Sequence, residues 1–331
     1  MDAPSAKPKR RARYSGKNPR HYSEKYKELN PALYPEELEK VRSAGKTPAG
    51  THRPIMVREI LEVLHPRPGE IAVDGTLGYG GHAEALLRSI LPNGKLIGLD
   101  VDSFELHRTE QRLRGIGFDH DAFTAHVMNF AGILKVVPEA VDMIVLDLGI
   151  SSMQIDNPER GFTFKEDGPL DMRMNPQRGI PASAWIGRTA ASILAKTLSE
   201  NADEPQAVRI AEAVVTAAPQ TTWQLAEAVR SVSDDDDTVR RVFQAVRIAV
   251  NDEIGALQSF LHSMPLCLKP GGRVAILTFH SGEDRRVKKV FQELERGSDP
   301  GRIQAGLIRS TPDEVRSNPR SRSAKLRWLR F

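Results

Sequence analysis

Three aspartates, Asp74, Asp100 and Asp147, each lie at or next to the end of a hydrophobic segment that is long enough for one β-strand. The carboxyl ends of parallel strands meet at one edge of a sheet, where open α/β folds bind their ligands. The first aspartate is followed by a turn, residues 75–81, that has four glycines in seven positions. Glycines there let a ligand approach the backbone closely. The spacing therefore predicts a small-molecule site with three carboxylates, and a tight turn without a ligand is the alternative for the glycines.

The order of the glycines distinguishes between two cofactors. A dinucleotide fingerprint reads G-x-G-x-x-G directly after the strand, whereas here Asp74 is followed by Gly78, Gly80 and Gly81. An acidic strand end before G-x-G favours S-adenosylmethionine, because a carboxylate attracts its sulfonium and ammonium groups and repels a pyrophosphate. Asp100 ends the next strand and can accept two hydrogen bonds from a ribose diol. The alternatives are a nicotinamide-dependent oxidoreductase and, for Asp100 alone, a helix cap.

Asp147 begins a stretch that continues to Ser151 and Ser152. Beside S-adenosylmethionine, this stretch would lie where an enzyme holds an exocyclic amine. Methylation of an aromatic amine needs the nitrogen in line with the methyl group and an acceptor for its N–H. Asp147 and Ser151 are therefore the predicted catalytic residues. Capping of the next helix is an alternative for both.

Two other chemistries are disfavoured. Methylation at pyrimidine C5 ordinarily needs a cysteine nucleophile, and the one cysteine, Cys267, lies between two leucines as a core residue would. The cluster of His280, Glu283 and Asp284 offers one imidazole and adjacent acids, which do not specify a metal geometry. No metal site is predicted.

Hydrophobic strands alternate with helical patterns in the first half of the chain and again near its end. Continuous apolar strands in such an alternation are typical of a parallel sheet covered on both faces, so we expect an α/β, doubly wound fold. The predicted strands are Ile71–Asp74, Lys95–Asp100, Thr124–Met128, Val141–Leu148, Arg273–Phe279 and, at an edge of the sheet, Ala324–Phe331.

The alternation stops after Ser152. Residues 153–182 have no regular period and are predicted to be a long loop, which three helices without intervening strands follow. A long helix from Val239 to about Leu261 then returns the chain to the sheet.

These changes of pattern predict the domain organisation. Residues 1–50 form a basic N-terminal extension, partly disordered, with a short helix after Tyr34. Residues 51–155 and 239–331 form the sheet domain, and residues 156–238 form an inserted loop and helical subdomain.

Positive charge is concentrated at the two ends of the chain. Residues 1–50 hold 12 Lys and Arg against 6 Asp and Glu, and residues 301–331 hold 8 against 2, although the whole chain has a net charge of only +4. This distribution is typical of a protein that binds a polyanion, and solvated tails are the alternative. The single cysteine and the lack of a secretory signal or membrane-length apolar run predict a cytoplasmic protein.

Seven longer motifs occur along the chain. They are VDGTLGYGGH at 73–82, LDLGISSxQ at 146–154, ERGFTF at 159–164, DGPLDMRM at 167–174, FQAVRI at 243–248, FHSxEDR at 279–285 and NPRSRSAKLR at 318–327. In content and order they resemble the bacterial 16S ribosomal RNA cytosine-N4 methyltransferase family. The resemblance runs from about His52 to the C-terminus.

The resemblance implies a Rossmann-like, S-adenosylmethionine-dependent methyltransferase sheet with an inserted helical subdomain. The implied reaction is N4 methylation of a cytidine in the decoding region of small-subunit ribosomal RNA. The expected partner is 16S ribosomal RNA within the small ribosomal subunit, and a homodimer is left open. The positions that match the family's cofactor contacts are Gly80, Gly81, His82, Asp100, Phe130, Asp147 and Gln154. Asp74 joins them because of its spacing.

Two groups of residues are predicted to bind RNA. Phe162 and Phe164 are candidates to stack a cytosine that has left its helix, with anchoring of the loop as the alternative. The predicted phosphate contacts are Arg320, Arg322, Lys325 and Arg327. For these the alternative is a solvated strand edge, and a catalytically silent RNA-binding protein remains open for the whole chain.

Overall fold

The computed structural model describes residues 54–137, 139–298 and 302–331, and the statements below concern this part of the chain. The predicted basic extension and its short helix lie outside the described residues. No helix within these ranges is both long enough and apolar enough to cross a membrane.

One sheet of seven strands runs through the described residues. The strands are β1 (Ile71–Asp74), β2 (Lys95–Asp100), β3 (Phe123–Val127), β4 (Val141–Asp147), β5 (Leu268–Thr278), β6 (Gln304–Arg309) and β7 (Lys325–Arg330). Their order is β3-β2-β1-β4-β5-β7-β6, and β7 is antiparallel to both of its neighbours while the other pairs are parallel. The predicted α/β, Rossmann-like fold is confirmed. The chain reverses its direction of travel across the sheet between β1 and β4, which is the switch point where such sheets bind ligands.

Helices surround the sheet and form the insert. The α-helices are α1 (Val57–Leu64), α2 (Gly81–Ile90), α3 (Ser103–Gly115), α4 (Ser152–Asp156), α5 (Ala182–Arg188), α6 (Ala191–Ala202), α7 (Ala207–Ala217), α8 (Thr222–Arg230), α9 (Asp236–Val250), α10 (Glu253–Ser263), α11 (Ser281–Arg296) and α12 (Pro312–Ser317).

Both faces of the sheet are covered, because successive side chains of a strand point to opposite faces. In β4, Met143 and Val145 belong to a core that includes residues of α1, α2 and α3. Ile144 and Leu146 belong to a second core, on the other face, that includes residues of α10 and α11. The apolar run of β4 follows from this double burial.

The last strand is present, but its predicted position at the edge of the sheet is wrong. In β7, Arg327 lies opposite Ile276 of β5, and Leu326 lies opposite Ile308 of β6. Leu326 and Leu329 are fully buried, which a strand paired on both sides achieves more readily than an edge strand. The edge is taken by β6, whose residues are all half-buried or exposed.

The predicted long helix is interrupted and forms α9 and α10. Asn251 and Asp252 separate the two, and Asp252 has φ of +49°, which ends the regular helical path. The amide group of Asn251 donates to the Met172 carbonyl at 2.8 Å and accepts from the Met174 N–H at 2.7 Å. The apolar period of the sequence continues across the break and therefore does not predict it. The break coincides with these contacts to a loop that is distant in the sequence.

Helices α5 to α9 share a core of their own, to which the loop before them also contributes. Pro169 in that loop forms an isolated bridge with Thr221 at the start of α8. The α9 residues Val239, Val242 and Phe243 belong to the same core. The core of the insert therefore extends past the predicted boundary at residue 238.

Candidate functional site

Hydrogen bonds tie the glycine turn after β1 to the end of β2 and to α3. The Gly78 N–H donates to Oδ2 of Asp100 at 2.7 Å, and the Leu77 N–H donates to the Leu99 carbonyl at 2.8 Å. The Thr109 hydroxyl donates to the Gly78 carbonyl. Gly78 has φ of +46°, a left-handed conformation that glycine adopts without strain. The turn therefore holds its backbone directly against the Asp100 carboxylate.

Gly80 and Gly81 lie where the turn meets α2, and protein atoms pack closely against both. A Cβ on Gly80, which has φ of +69°, would lie 2.7 Å from Cγ2 of Thr109. A Cβ on Gly81 would lie 2.2 Å from Cγ of Pro54. Packing within the protein therefore requires both glycines, whatever the turn binds, and their role as cofactor contacts stays a prediction.

Asp74, Asp100 and Asp147 end β1, β2 and β4, which are neighbours at the centre of the sheet. Burial raises the pKa of Asp74 to about 7 against hydrogen bonds from Thr76, and the charge of Asp100 adds to the increase. Burial also raises the pKa of Asp100 to about 6, against two backbone hydrogen bonds. Carboxyl groups whose pKa is raised this close to neutral pH by burial are typical of functional sites.

Asp147 has a buried oxygen without a partner. Its backbone N–H donates to Oγ1 of Thr76 at 2.6 Å, but its Oδ1 has no hydrogen-bond partner among the described residues. Burial raises the pKa of Asp147 to about 7, and the charges of Asp74 and Glu283 add to the increase. A buried acceptor left unpaired costs about 1–3 kcal/mol, so a ligand that donates a hydrogen bond here would be stabilised.

The surroundings of the three carboxylates can be compared with the groups that S-adenosylmethionine carries. Among the described residues, the main influences on the pKa of Asp74, Asp100 and Asp147 are burial, hydrogen bonds from neutral groups and the charges of other acids. A ligand with positive charge would therefore relieve their repulsion, and hydroxyl or N–H donors would satisfy their oxygens. The sulfonium, ammonium and ribose hydroxyl groups of S-adenosylmethionine supply both, so the residues present fit this cofactor.

Comparison with known proteins decides the family. Residues 49–331 match the MraW methylase family. The chain belongs to this methylase family. The predicted cofactor, S-adenosyl-L-methionine, is confirmed with it.

Relatives of this methylase are similar over almost their whole length. The chain is 45% identical to "Ribosomal RNA small subunit methyltransferase H 2" of Alkaliphilus metalliredigens, over 99% of each chain. It is 46% identical to the protein of the same name from Acholeplasma laidlawii, over 96% of each chain. A relative from Heliobacterium modesticaldum, "Ribosomal RNA small subunit methyltransferase H", is 38% identical over 97% of its own length but only 83% of this chain. The first alignment must include most of the basic residues 1–50, so the extension has a counterpart in that relative.

Two of the methylase's predicted site residues, Ser151 and Gln154, form a capping box at the start of α4. The Ser151 hydroxyl accepts from the Gln154 N–H at 3.2 Å, and the Gln154 side-chain oxygen accepts from the Ser151 N–H at 2.9 Å. The Gln154 side-chain nitrogen donates to Asp102 at 2.9 Å. The capping alternative therefore describes the Ser151 side chain, and the Gln154 amide is engaged within the protein at both ends.

His82 and Phe130, predicted cofactor contacts, both follow the glycine turn in the sequence but differ in their surroundings. Nε2 of His82 lies 3.1 Å from the Ile55 carbonyl, and burial lowers the pKa of His82 to about 4, so the ring is neutral. Phe130 packs edge-on against Phe260 with ring centroids 5.8 Å apart, and its Cβ would lie 3.1 Å from a Cβ on Gly75. Phe130 is therefore adjacent to the glycine turn, whereas the His82 ring contacts the chain before α1.

The structure contradicts the predicted stacking platform of Phe162 and Phe164. Phe162 is only 8% exposed and belongs to the core of the insert. Phe164 packs against Phe243 with ring centroids 5.3 Å apart, and the Arg230 guanidinium lies 5.7 Å from its centroid. Phe162 is buried in this core and Phe164 is half-buried against it, so the alternative, anchoring of the loop, accounts for the contacts of both rings.

The predicted phosphate contacts divide into two pairs. Nζ of Lys325 and Nε of Arg327 each donate to Asp284 at 2.7 Å, on opposite oxygens. These two side chains join β7 to α11, which corrects their prediction as phosphate contacts. Arg320 and Arg322 are exposed, as an RNA contact would require, and for them the prediction stands as a proposal.

The chain after β5 supplies a charge next to Asp147. Oε2 of Glu283 accepts from the Phe279 N–H at 2.8 Å, and its Oε1 lies 3.1 Å from Nε2 of His280. Burial opposes ionisation of Glu283, but the hydrogen bonds and charge of His280, with Arg247, lower its pKa. In the part of the chain described, no group of three or more His, Cys, Asp and Glu could hold a metal ion. The sequence did not predict that the charge of Glu283 raises the pKa of Asp147, because the spacing of Glu283 from His280 also fits a helix cap.

Sequence reasoning also missed Asp102 and Arg160. Asp102 is 1% exposed and lies 2.8 Å from Nη1 of Arg160, whose side chain is 15% exposed. The spacing between Asp102 and Glu105 indicates only a helix cap. Arg160 is part of the ERGFTF motif, and nothing in that motif indicates its partner. Their contact joins positions 58 residues apart, which no local pattern reveals.

Proposed function

We propose that this protein transfers a methyl group from S-adenosylmethionine to the N4 amine of a cytidine in the decoding region of 16S ribosomal RNA, in the cytoplasm. The observation that carries the proposal is the buried, unpartnered Oδ1 of Asp147 beside two other desolvated carboxylates. The relatives' names supply the small-subunit ribosomal RNA. The resemblance of the seven motifs supplies the cytosine N4 and the decoding region.

Asp100 is suited to the ribose end of the cofactor. Each of its oxygens accepts one backbone N–H, from Asp102 at 2.9 Å and from Gly78 at 2.7 Å. A carboxylate has about four acceptor positions, so both oxygens keep the capacity for a diol hydrogen bond. The two backbone donors fix the direction in which the remaining lone pairs point.

Asp74 and Asp147 are suited to the reacting end. When bound, S-adenosylmethionine supplies an electrophilic methyl group on a positively charged sulfur. Ionised Asp74 and Asp147 would stabilise that charge. Because both have a pKa near 7 in the free protein, we expect cofactor binding to release protons at neutral pH.

Asp147 is also the proposed acceptor for the amine. The lone pair of a cytosine amine is delocalised into the ring, so the protein must orient the N–H and remove its proton as the new C–N bond forms. Oδ1 of Asp147 can accept that hydrogen bond and then the proton, and a pKa of about 7 is well matched to this at neutral pH. Ser151 was predicted for the same step, but its oxygen already accepts the Gln154 N–H, so Asp147 is the better candidate.

Methylation at carbon C5 is a less suitable reaction for this chain. Its only cysteine, Cys267, is buried among apolar residues, and burial raises the pKa of the thiol to about 11. A nucleophilic thiolate would therefore be scarce at neutral pH. Methylation of an amine needs no covalent intermediate.

Arg320 and Arg322 are the proposed phosphate contacts. Both are exposed, and Nη2 of Arg320 lies 3.4 Å from Asp156, the last residue of α4. Because α4 begins five residues after the carboxyl end of β4, a phosphate bound by Arg320 would lie near the edge of the sheet that carries the amine acceptor. Phosphate contacts of this kind orient the RNA without reading its sequence.

The test uses purified protein, labelled S-adenosylmethionine and two substrates, free 16S ribosomal RNA and small subunits from cells that lack the gene. We expect label in one cytidine, as N4-methylcytidine, and calorimetric binding of S-adenosylhomocysteine without binding of NAD. Binding of NAD alone would support the oxidoreductase alternative. RNA binding without transfer of label to either substrate would support a silent RNA-binding protein.

A further inference from the structure

The carboxylate of Asp102 connects three parts of the molecule. Oδ1 accepts the N–H groups of Phe104 and Glu105 and so caps α3, at 3.2 and 3.3 Å. Oδ2 accepts from the Gln154 amide at 2.9 Å and from the Arg160 guanidinium at 2.8 Å. Its own N–H donates to the proposed ribose acceptor two residues before it, at 2.9 Å. One buried carboxylate therefore links the end of β2, the start of α3 and the loop after β4.

Arg160 extends this link into the insert. While Nη1 holds Asp102, Nη2 donates to the carbonyls of Arg173 and Met174, at 3.1 and 2.8 Å. The Arg160 carbonyl accepts the Met172 N–H at 3.0 Å. The guanidinium thus spans from a cofactor-side acid to the backbone at 173–174, using two nitrogens of its planar group.

The loop segment 171–174, which includes these two carbonyls, is held from its other side as well. Asn251, in the break between α9 and α10, bonds to the backbone of Met172 and Met174. Arg160 and Asn251 therefore both contribute to fixing this segment. Removing the Arg160 guanidinium would break its bonds to the carbonyls at 173 and 174 and would keep the main-chain bond between Arg160 and Met172.

We propose that Arg160 is a positioning residue that transmits cofactor binding at the end of β2 to the loop segment at 171–174. The inference rests on the proposed function, in which the cofactor's ribose binds Asp100. A ribose that fixes Asp100 also fixes the Asp102 backbone, and through Arg160 it fixes this segment of the insert. Binding of the methyl donor thereby stabilises this arrangement of the loop for the substrate.

Lysine tests the link because it keeps the charge but not the planar fork. In R160K, one ammonium group cannot reproduce the geometry of two guanidinium nitrogens. The matched control is R173K, because Arg173 lies in the same loop but its side chain pairs with Asp171, not with Asp102. Affinity for S-adenosylhomocysteine, measured without RNA, verifies that each variant is folded and binds the cofactor.

The main measurement is amide hydrogen exchange with and without saturating S-adenosylhomocysteine. In the unaltered protein and in R173K, we expect the ligand to slow exchange at Gly78, Asp102 and the segment 171–174. In R160K we expect slowing at Gly78 and Asp102 but not at 171–174, with affinity for the ligand within about threefold of the unaltered protein. The kcat for RNA methylation should fall by about tenfold to a hundredfold, with a smaller change in the KM for S-adenosylmethionine.

Three results would overturn the proposal. The first is that S-adenosylhomocysteine still slows amide exchange at 171–174 in R160K. The second is that it binds the unaltered protein without slowing exchange there. The third is that the kcat of R160K is unchanged. Failure of the unaltered protein to bind S-adenosylhomocysteine would refute the proposed function itself, and calorimetry alone would reveal it.

Discussion

Two carboxylates follow neighbouring strands of the same sheet and have opposite surroundings. Asp147 ends β4, and burial with two nearby acids raises its pKa to about 7. Asp284 lies in the first turn of α11, just after β5, and there burial is outweighed by hydrogen bonds from Arg327 and Lys325 that lower its pKa. The sequence predicts a catalytic role for Asp147 and assigns none to Asp284. Their partners separate them: the paired acid joins β7 to α11, and the other acid has an oxygen without a hydrogen-bond partner among the described residues.

The largest effect is expected from D147N. An amide keeps the size of the side chain but cannot take the amine proton, so kcat should fall by about a hundredfold to ten-thousandfold. Removing an unpaired buried charge should not lower stability at pH 8. Single-turnover methylation and thermal unfolding of the same preparation measure the two effects. A folded D147N protein with the kcat of the unaltered protein would contradict the assignment.

The next largest effect is expected from D100A. Loss of the proposed ribose acceptor should weaken binding of S-adenosylhomocysteine by about 1.5–3 kcal/mol, or roughly tenfold to a hundredfold. Calorimetry measures this directly. An affinity equal to that of the unaltered protein would remove Asp100 from the cofactor site.

The paired acid should behave in the opposite way. D284N leaves two partly buried cations, Lys325 and Arg327, without their counter-charge and should destabilise the protein by about 2 kcal/mol. Affinity for S-adenosylhomocysteine should not change. Chemical denaturation and calorimetry test the pair of expectations, and a D284N protein of full stability that no longer binds the ligand would reverse the comparison.

A smaller effect is expected from pH. The carboxyls of Asp74, Asp100 and Asp147 have raised pKa values of about 7, 6 and 7, so they favour the folded state fully only below their ordinary value of 3.8. That contribution is lost as pH rises through 6 to 7, and the free protein should therefore become less stable between pH 5 and pH 8.

Over the same range of pH, the ionised carboxyls should bind S-adenosylmethionine about tenfold more tightly. S-adenosylhomocysteine, which lacks the sulfonium charge, should show a weaker dependence, and equal dependences would argue against contact with the sulfur.

The parallel sheet could be predicted because burial on both faces leaves a continuous apolar pattern, as in β4. The position of β7 could not, because the residues of β6 are half-buried or exposed and form no strong apolar pattern. The break before α10 was hidden for a related reason. Asn251 interrupts the helix to bond with a loop 77 to 79 residues away, and a local apolar period carries no information about such a partner.

The candidate site was also predictable only where its signals are local in the sequence. The three strand-end acids were predictable because strand ends and turn glycines are local signals. Phe162 and Phe164 were misassigned because the residues that cover them, such as Phe243, come from helices that are distant in the sequence. Lys325 and Arg327 were misassigned because their positive charges suggested phosphate, while their partner, Asp284, is more than 40 residues away.

The most direct test of the account is to identify the modified nucleoside made by the unaltered protein and by D147N from the same small-subunit substrate. Mass spectrometry of the digested 16S ribosomal RNA should detect N4-methylcytidine with the unaltered protein. With D147N it should detect at least a hundredfold less at equal time, at saturating S-adenosylmethionine. Methylation at another atom, or an unreduced rate with D147N, would contradict the claim that the unpaired acid at the end of β4 accepts the amine proton.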